Sequence, residues 1–199
     1  MTVNAEHLSD PSVSETGNMI GWLGVSCMTA ALLSGVLKGV WEITNPILED
    51  PATFAFANPT QLWGYGLLEV VKSVGFLAGL FGFYLYATQR GMIMNVLMGL
   101  AVLGAIFFAV VWMVMASSSR FTMVFVMGGV WFQVVAPIGL GIAAIFARRI
   151  PWWQSAVPIV VGILNAQLFA LLGAGPAMLV QGMIWLGFGY LVHSFRPVY

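Results

Sequence analysis

Charge is what this 199-residue chain has least of. Asp, Glu, Lys and Arg make up 7% of it, against 60% hydrophobic residues. A soluble domain carries about 25% charged residues, so this chain lacks the polar surface needed to face water. Gly91–Ser119, Phe121–Ala147 and Ile150–Phe195 hold no charged residue at all, and about 18 such residues suffice for one membrane span. Seven basic residues balance seven acidic ones, which leaves no basic surface for nucleic acid. Cys27 is the only cysteine; it excludes an internal disulfide and a cysteine-based metal cluster, and reads as a small buried apolar residue.

Histidine is nearly as scarce. His7 stands alone in the N-terminal stretch, and His193 sits at the end of the last apolar run, facing the interface. A single embedded histidine excludes haem held by two histidines. Metal-ligand spacings, phosphate-binding glycine loops and a hydrolase elbow are all missing. No metal and no cofactor is therefore expected, and the twelve methionines, Met92, Met94 and Met98 among them, read as flexible packing residues. Residues 1–18 contain no Lys or Arg, whereas a secretory signal needs a basic start. They read as a short, disordered acidic tail ahead of a single domain over residues 19–196.

What is present is hydrocarbon arranged for helices. Backbone polar groups inside a bilayer must be satisfied internally, and the alternation of barrel strands is absent, so the fold class is all-α, a polytopic helical bundle. Six spans are expected. The first covers about Met19 to Val40, with Ala31, Gly35 and Gly39 on one face for close helix approach. The Pro-broken, acidic loop that follows, with Phe54 and Phe56, is expected on the membrane surface. Asn58 and Pro59 supply the cap and first turn of the second span, about Pro59 to Ala87. The third fills Gly91 to Met115 and the fourth Phe121 to Ala147. The last uncharged run is too long for one span and breaks at Gly173–Pro176, giving Gln154–Leu172 and Pro176–Ser194.

Each even span closes with paired glycines and then arginine: Gly79 and Gly82 before Arg90, Gly139 and Gly141 before Arg148 and Arg149, Gly187 and Gly189 before Arg196. Three stacked helical hairpins would account for that. Those arginines fall on one side of the bundle, against Arg120 and Lys38 on the other. The excess puts both termini in the cytoplasm and the Glu69 level toward the outer leaflet.

Chemistry starts at Glu69 and Lys72, an acid and a base embedded together in apolar sequence. Ionisable residues inside a membrane face the bundle interior or water. At a spacing of three they share a helix face. Packing the Gly75/Gly79/Gly82 face against Gly35 and Gly39 would also bring Lys38 to Glu69. The group reads either as an ion pair locking the first two helices or as a site. As a site, Glu69, Lys72, Lys38 and Gln133 would bind a ligand, and Glu69 would be the catalytic acid or base. Gln133, Asn165, Gln167, Gln181 and Asn95 would line a cavity below Glu69, or bond neighbouring helices instead.

The six-span plan, the glycine-paired even helices and the Arg148-Arg149-Ile150-Pro151-Trp152-Trp153 turn resemble small bacterial integral membrane proteins of the DUF4386-like kind, over roughly Trp63 to Arg196. The resemblance implies a bundle in the bacterial cytoplasmic (inner) membrane and brings no activity or site residue. Three functions follow as expectations. The first is binding of membrane lipids, a lipophilic or amphiphilic small molecule, or a partner membrane protein. The second is an intramembrane lipid isomerase or cyclase working through Glu69. The third is a small secondary transporter or channel subunit, although the same-orientation hairpins lack the inverted repeats of many transporters. Glycine faces and small size also allow assembly into an oligomer.

Overall fold

The computed structural model describes residues 11–46, 48–50, 55–56, 59–88, 91–118 and 128–195. Helix α1 spans Pro11–Ala31, passes through a π-helical turn at Leu32–Leu37 and continues as α2, Lys38–Thr44. Two short strands, β1 (Leu48–Asp50) and β2 (Ala55–Phe56), pair antiparallel with Leu48 opposite Phe56. Then come α3 (Pro59–Ala87), α4 (Met92–Ser118), a π-helical turn at Trp131–Val135, α5 (Ala136–Ala147), α6 (Trp152–Leu172) and α7 (Ala174–His193). Among the described residues, five helices are long and apolar enough to cross a membrane: Glu15–Thr44, Trp63–Ala87, Met92–Val114, Gly128–Ala147 and Gly175–His193.

The first helix begins at Pro11, inside the stretch expected to be a disordered tail. Proline suits a first helical turn because its φ is already helical and its missing N–H would have no partner there. At the other end of the chain, the long uncharged run breaks where expected. Gly173 has φ +74° and ψ 176°, a backbone region open essentially to glycine alone. It separates α6 from α7 without an intervening loop.

Neighbouring helices pack in chain order, and the last returns to the first. Helix α1 contacts α3, α3 contacts α4, α4 contacts the second π turn, α5 contacts α6, α6 contacts α7, and α7 contacts α1 and α2. In hydrocarbon the drive for such packing is close contact rather than water exclusion, so small residues decide who meets whom. Here the expected glycine pairing is overturned. Gly35 meets Gly182 on α7, so closely that a Cβ on Gly35 would collide with the Gly182 Cα, and Gly39 meets Leu179. The Gly75, Gly79 and Gly82 face of α3 instead receives Ala30, Cys27 and Leu23 of α1. Sequence spacing identified both small faces but carried no information on which face took which partner. Helix α1 therefore packs against both α3 and α7, which also touch each other.

Between them runs the apolar core: Cys27, Phe76, Leu80, Phe83, Trp185, Phe188 and Val192 are all fully buried. Phe76 stacks on Trp185 with ring centroids 4.0 Å apart. Long apolar side chains such as Val74, Leu103 and Phe146 cover the outside, which is the surface a bilayer would contact.

Candidate functional site

Two pairs of residues one helical turn apart meet across the α2–α3 contact. Lys38 and Glu42 lie four apart on α2, and Tyr65 and Glu69 lie four apart on α3. Running in opposite directions, the helices set Lys38 against Glu69 and Glu42 against Tyr65. The Lys38 ammonium donates to Glu69 Oε1, and the Tyr65 hydroxyl donates to Glu42 Oε2. Lys72, one turn beyond Glu69, makes an ion pair with the other carboxylate oxygen. Two lysines and two glutamates thus form a group with no net formal charge.

The group is sealed. Glu69 is 1% exposed, and Lys38, Glu42, Tyr65 and Lys72 are buried with it. Aromatic faces take the remaining space around the cations. Lys38 Nζ lies 4.6 Å from the Tyr65 ring centre and 5.0 Å from that of Trp112, and Lys72 Nζ lies 4.9 Å from Phe108. Cation–π attraction is strongest where water is excluded. Buried ions recover their desolvation cost only when every partner is well placed. The π turn at Leu32–Leu37 immediately precedes Lys38 and shifts the register of the residues that follow it.

Gln133 belongs to a different cluster. Gln181 donates to Gln133 Oε1 at 2.7 Å and to Asn165 Oδ1 at 3.0 Å, and Asn165 donates to the Gln133 backbone carbonyl at 3.0 Å. That carbonyl is free for a physical reason: its helical partner would be the N–H of residue 137, and Pro137 has none. The second π turn sits at the same place, with the Ala136 N–H bonding to the Trp131 carbonyl. The expected polar cavity uniting Gln133, Asn165, Gln181, Gln167 and Asn95 beneath Glu69 does not form. The first three bond to one another across three helices, Gln167 is exposed, and Asn95 accepts from the Tyr84 hydroxyl at the α3–α4 end.

A binding-sized space lies on the other side of α3. A groove of about 540 Å³ runs along the outer face between α3 and α4, within the roughly 300–1,000 Å³ of small-molecule sites. Val70, Val74 and Leu77 form one wall, Ala105, Ala109 and Met113 the other, and Trp63 stands at one end. Ser73 is the one polar side chain in the lining, and its hydroxyl already donates to the Glu69 carbonyl at 2.8 Å. Apart from Ser73, only the Trp63 indole at the end could hydrogen-bond a ligand.

At the opposite end of the bundle His193 is exposed and its Nδ1 lies 3.1 Å from the Gly21 carbonyl. Among the described residues no group of three or more His, Cys, Asp and Glu could hold a metal ion. Phe54, Arg90, Arg120 and Arg196 lie outside the described residues, and so does the arginine asymmetry read from them. No protein-family model, curated protein or solved structure matches the chain.

Sequence reasoning brought Lys38, Glu69 and Lys72 together and paired Lys38 with Glu42, but expected Tyr65 at the interface rather than buried against Glu42 and passed over Ser73. The signal for the Glu42–Tyr65 contact was the matched four-residue spacing on two antiparallel helices. It also missed the groove, whose α3 wall follows the helical repeat 70, 73, 74, 77 and looks like any lipid-facing stripe.

Proposed function

We propose that this protein is an integral membrane bundle that holds the hydrocarbon chain of a lipid or other amphiphile in the groove between α3 and α4. The carrying observation is a groove of about 540 Å³ with apolar walls, set in a surface that faces hydrocarbon. A chain needs no hydrogen-bonding partner, and along its length the groove offers only Ser73, whose hydroxyl already bonds the Glu69 carbonyl. Trp63, half exposed at one end, suits the membrane–water boundary, where tryptophan is enriched. The amphiphile's polar head would lie at that end.

The wider setting belongs to the same proposal. Helix α6 is 21 residues long without a charged residue, about 31 Å at 1.5 Å per residue, enough for a sixth span beside the five already named. Six spans in three hairpins, placed in a bacterial inner membrane with both termini cytoplasmic, fit that count. The DUF4386-like resemblance remains part of this reading. In it, Glu69, Lys38 and Lys72 bind one another rather than the ligand, and Gln133 binds α6 and α7. Neither acid–base catalysis at Glu69 nor a transport path gains a supporting observation, because the carboxylate has no open approach.

The test is lipid retention. Protein purified in mild detergent and weighed by native mass spectrometry should carry a bound lipid. Ala109→Trp, which puts an indole into the groove, should remove it while the size-exclusion profile stays unchanged. Equal lipid occupancy in the two proteins would sink the reading.

A further inference from the structure

The groove and the buried ions are two sides of the same pair of helices. On α3, Val70, Ser73 and Val74 face the groove while Glu69 and Lys72 face the interior. On α4, Ala105, Ala109 and Met113 face the groove while Phe108 and Trp112 turn inward to the two ammonium groups.

Helix α4 packs against α3 along its length and against the second π turn and α5, and three of its contacts bear on how it stands. Near one end, Asn95 accepts from Tyr84 of α3. Along its far edge, Gly104 approaches Gly128 so closely that a Cβ on Gly104 would lie 3.1 Å from the Gly128 carbonyl oxygen. On its inner face, the Phe108 ring is fixed between Lys72 and Phe132, the latter in an edge-on contact at 5.5 Å. The first two lie at one end and at the outer edge. The third lies between α4 and α3 at the level of the groove.

We infer that the Lys38–Glu69–Lys72 cluster acts as a positioning group: through Phe108 and Trp112 it holds α4 away from α3 and so sets which hydrocarbon chains the groove admits. The inference rests on the groove reading above. Glu69 fixes both ammonium groups, and each ammonium fixes one ring of α4. None of these five side chains contributes to the groove lining, so their effect on a bound chain passes through the position of the helix. Groove width, rather than hydrogen bonding, is then the selective quantity. It discriminates straight chains from methyl-branched ones by cross-section.

The experiment uses the full chain in phospholipid nanodiscs with two photoactivatable phosphatidylcholines, one bearing a straight palmitoyl chain and one a branched phytanoyl chain. The readout is the ratio of branched to straight labelling on α3 and α4 peptides. In Phe108→Leu the ring beneath Lys72 is gone, α4 settles toward α3, and the ratio falls roughly threefold or more, well short of the roughly thirtyfold that one whole desolvated cation–π contact would give. Trp112→Leu shifts it the same way. Phe108→Tyr keeps the ring and restores the wild-type ratio, while Lys72→Met, which keeps the ring but removes the ammonium over it, lowers the ratio as Phe108→Leu does; a wild-type ratio in Lys72→Met would reduce Phe108 to packing alone and overturn the inference. Both leucine variants leave the ions paired, and if one loses its monodisperse profile the other carries the test.

Ala109→Trp separates the two levels of the argument. If it abolishes labelling while the leucine variants keep the wild-type ratio, the positioning role is wrong and the groove stands. If it leaves labelling unchanged, the groove reading itself is wrong and the inference falls with it.

Discussion

Among the described residues the bundle has two buried polar clusters, and they hold helices together by different physics. The ionic one joins α2 to α3 and faces α4 through Lys38, Glu42, Tyr65, Glu69 and Lys72. The amide one joins the second π turn to α6 and α7 through Gln133, Asn165 and Gln181. Removing one ion leaves an uncompensated charge in a water-free interior, which costs about 3–5 kcal/mol. Removing one amide loses hydrogen bonds worth about 0.6–2 kcal/mol, because a membrane-embedded chain finds other partners. The ionic cluster is therefore brittle and the amide cluster forgiving. A brittle group suits the place where helix position matters for a ligand.

That contrast can be broken in order of size. Glu69→Gln is expected to be the most damaging single change, since it leaves the Lys38 and Lys72 ammoniums facing a neutral amide. A loss of about 3–5 kcal/mol, read as reduced folded fraction in detergent-titrated unfolding, is predicted. Gln181→Leu removes two hydrogen bonds from the amide cluster and should cost about 1–2 kcal/mol in the same assay. If the two variants were equally destabilising, the distinction between the clusters would fail. Tyr84→Phe removes one hydrogen bond, to Asn95, and should cost under about 1 kcal/mol, the smallest effect. It would also sharpen the picture of α4, because a large loss there would place the main restraint at the Asn95 end rather than at the ions.

The helices were legible because hydrophobic run length and charge depletion are local properties of the chain. The break at Gly173 was legible for the same reason, as a Gly-Ala-Gly-Pro interruption in an overlong run. Lys38 meeting Glu69 was legible as chemistry: few charges exist here, and opposite ones in hydrocarbon seek each other. The route to that contact was not. Gly35 and Gly39 went to α7 and the α3 glycines went to Ala30, Cys27 and Leu23, because small faces are interchangeable until the whole bundle is packed. Gln133 carried a readable clue in Pro137, four residues on, which frees its carbonyl for Asn165. The groove carried none. It is a gap between two surfaces that are each ordinary, and a gap depends on the distance between helices, which no residue pattern encodes.

The account turns on Glu69 being bound by Lys38 across two helices in a sealed interior, and a double-mutant cycle measures that directly. Glu69→Gln, Lys38→Met and the double variant are compared with the unaltered chain by unfolding free energy in one detergent. The account predicts strong non-additivity, a coupling of about 2–3 kcal/mol, with the double variant costing less than the sum of the two single ones. Additive costs, with coupling near zero, would mean that the two side chains do not depend on each other, and would contradict it.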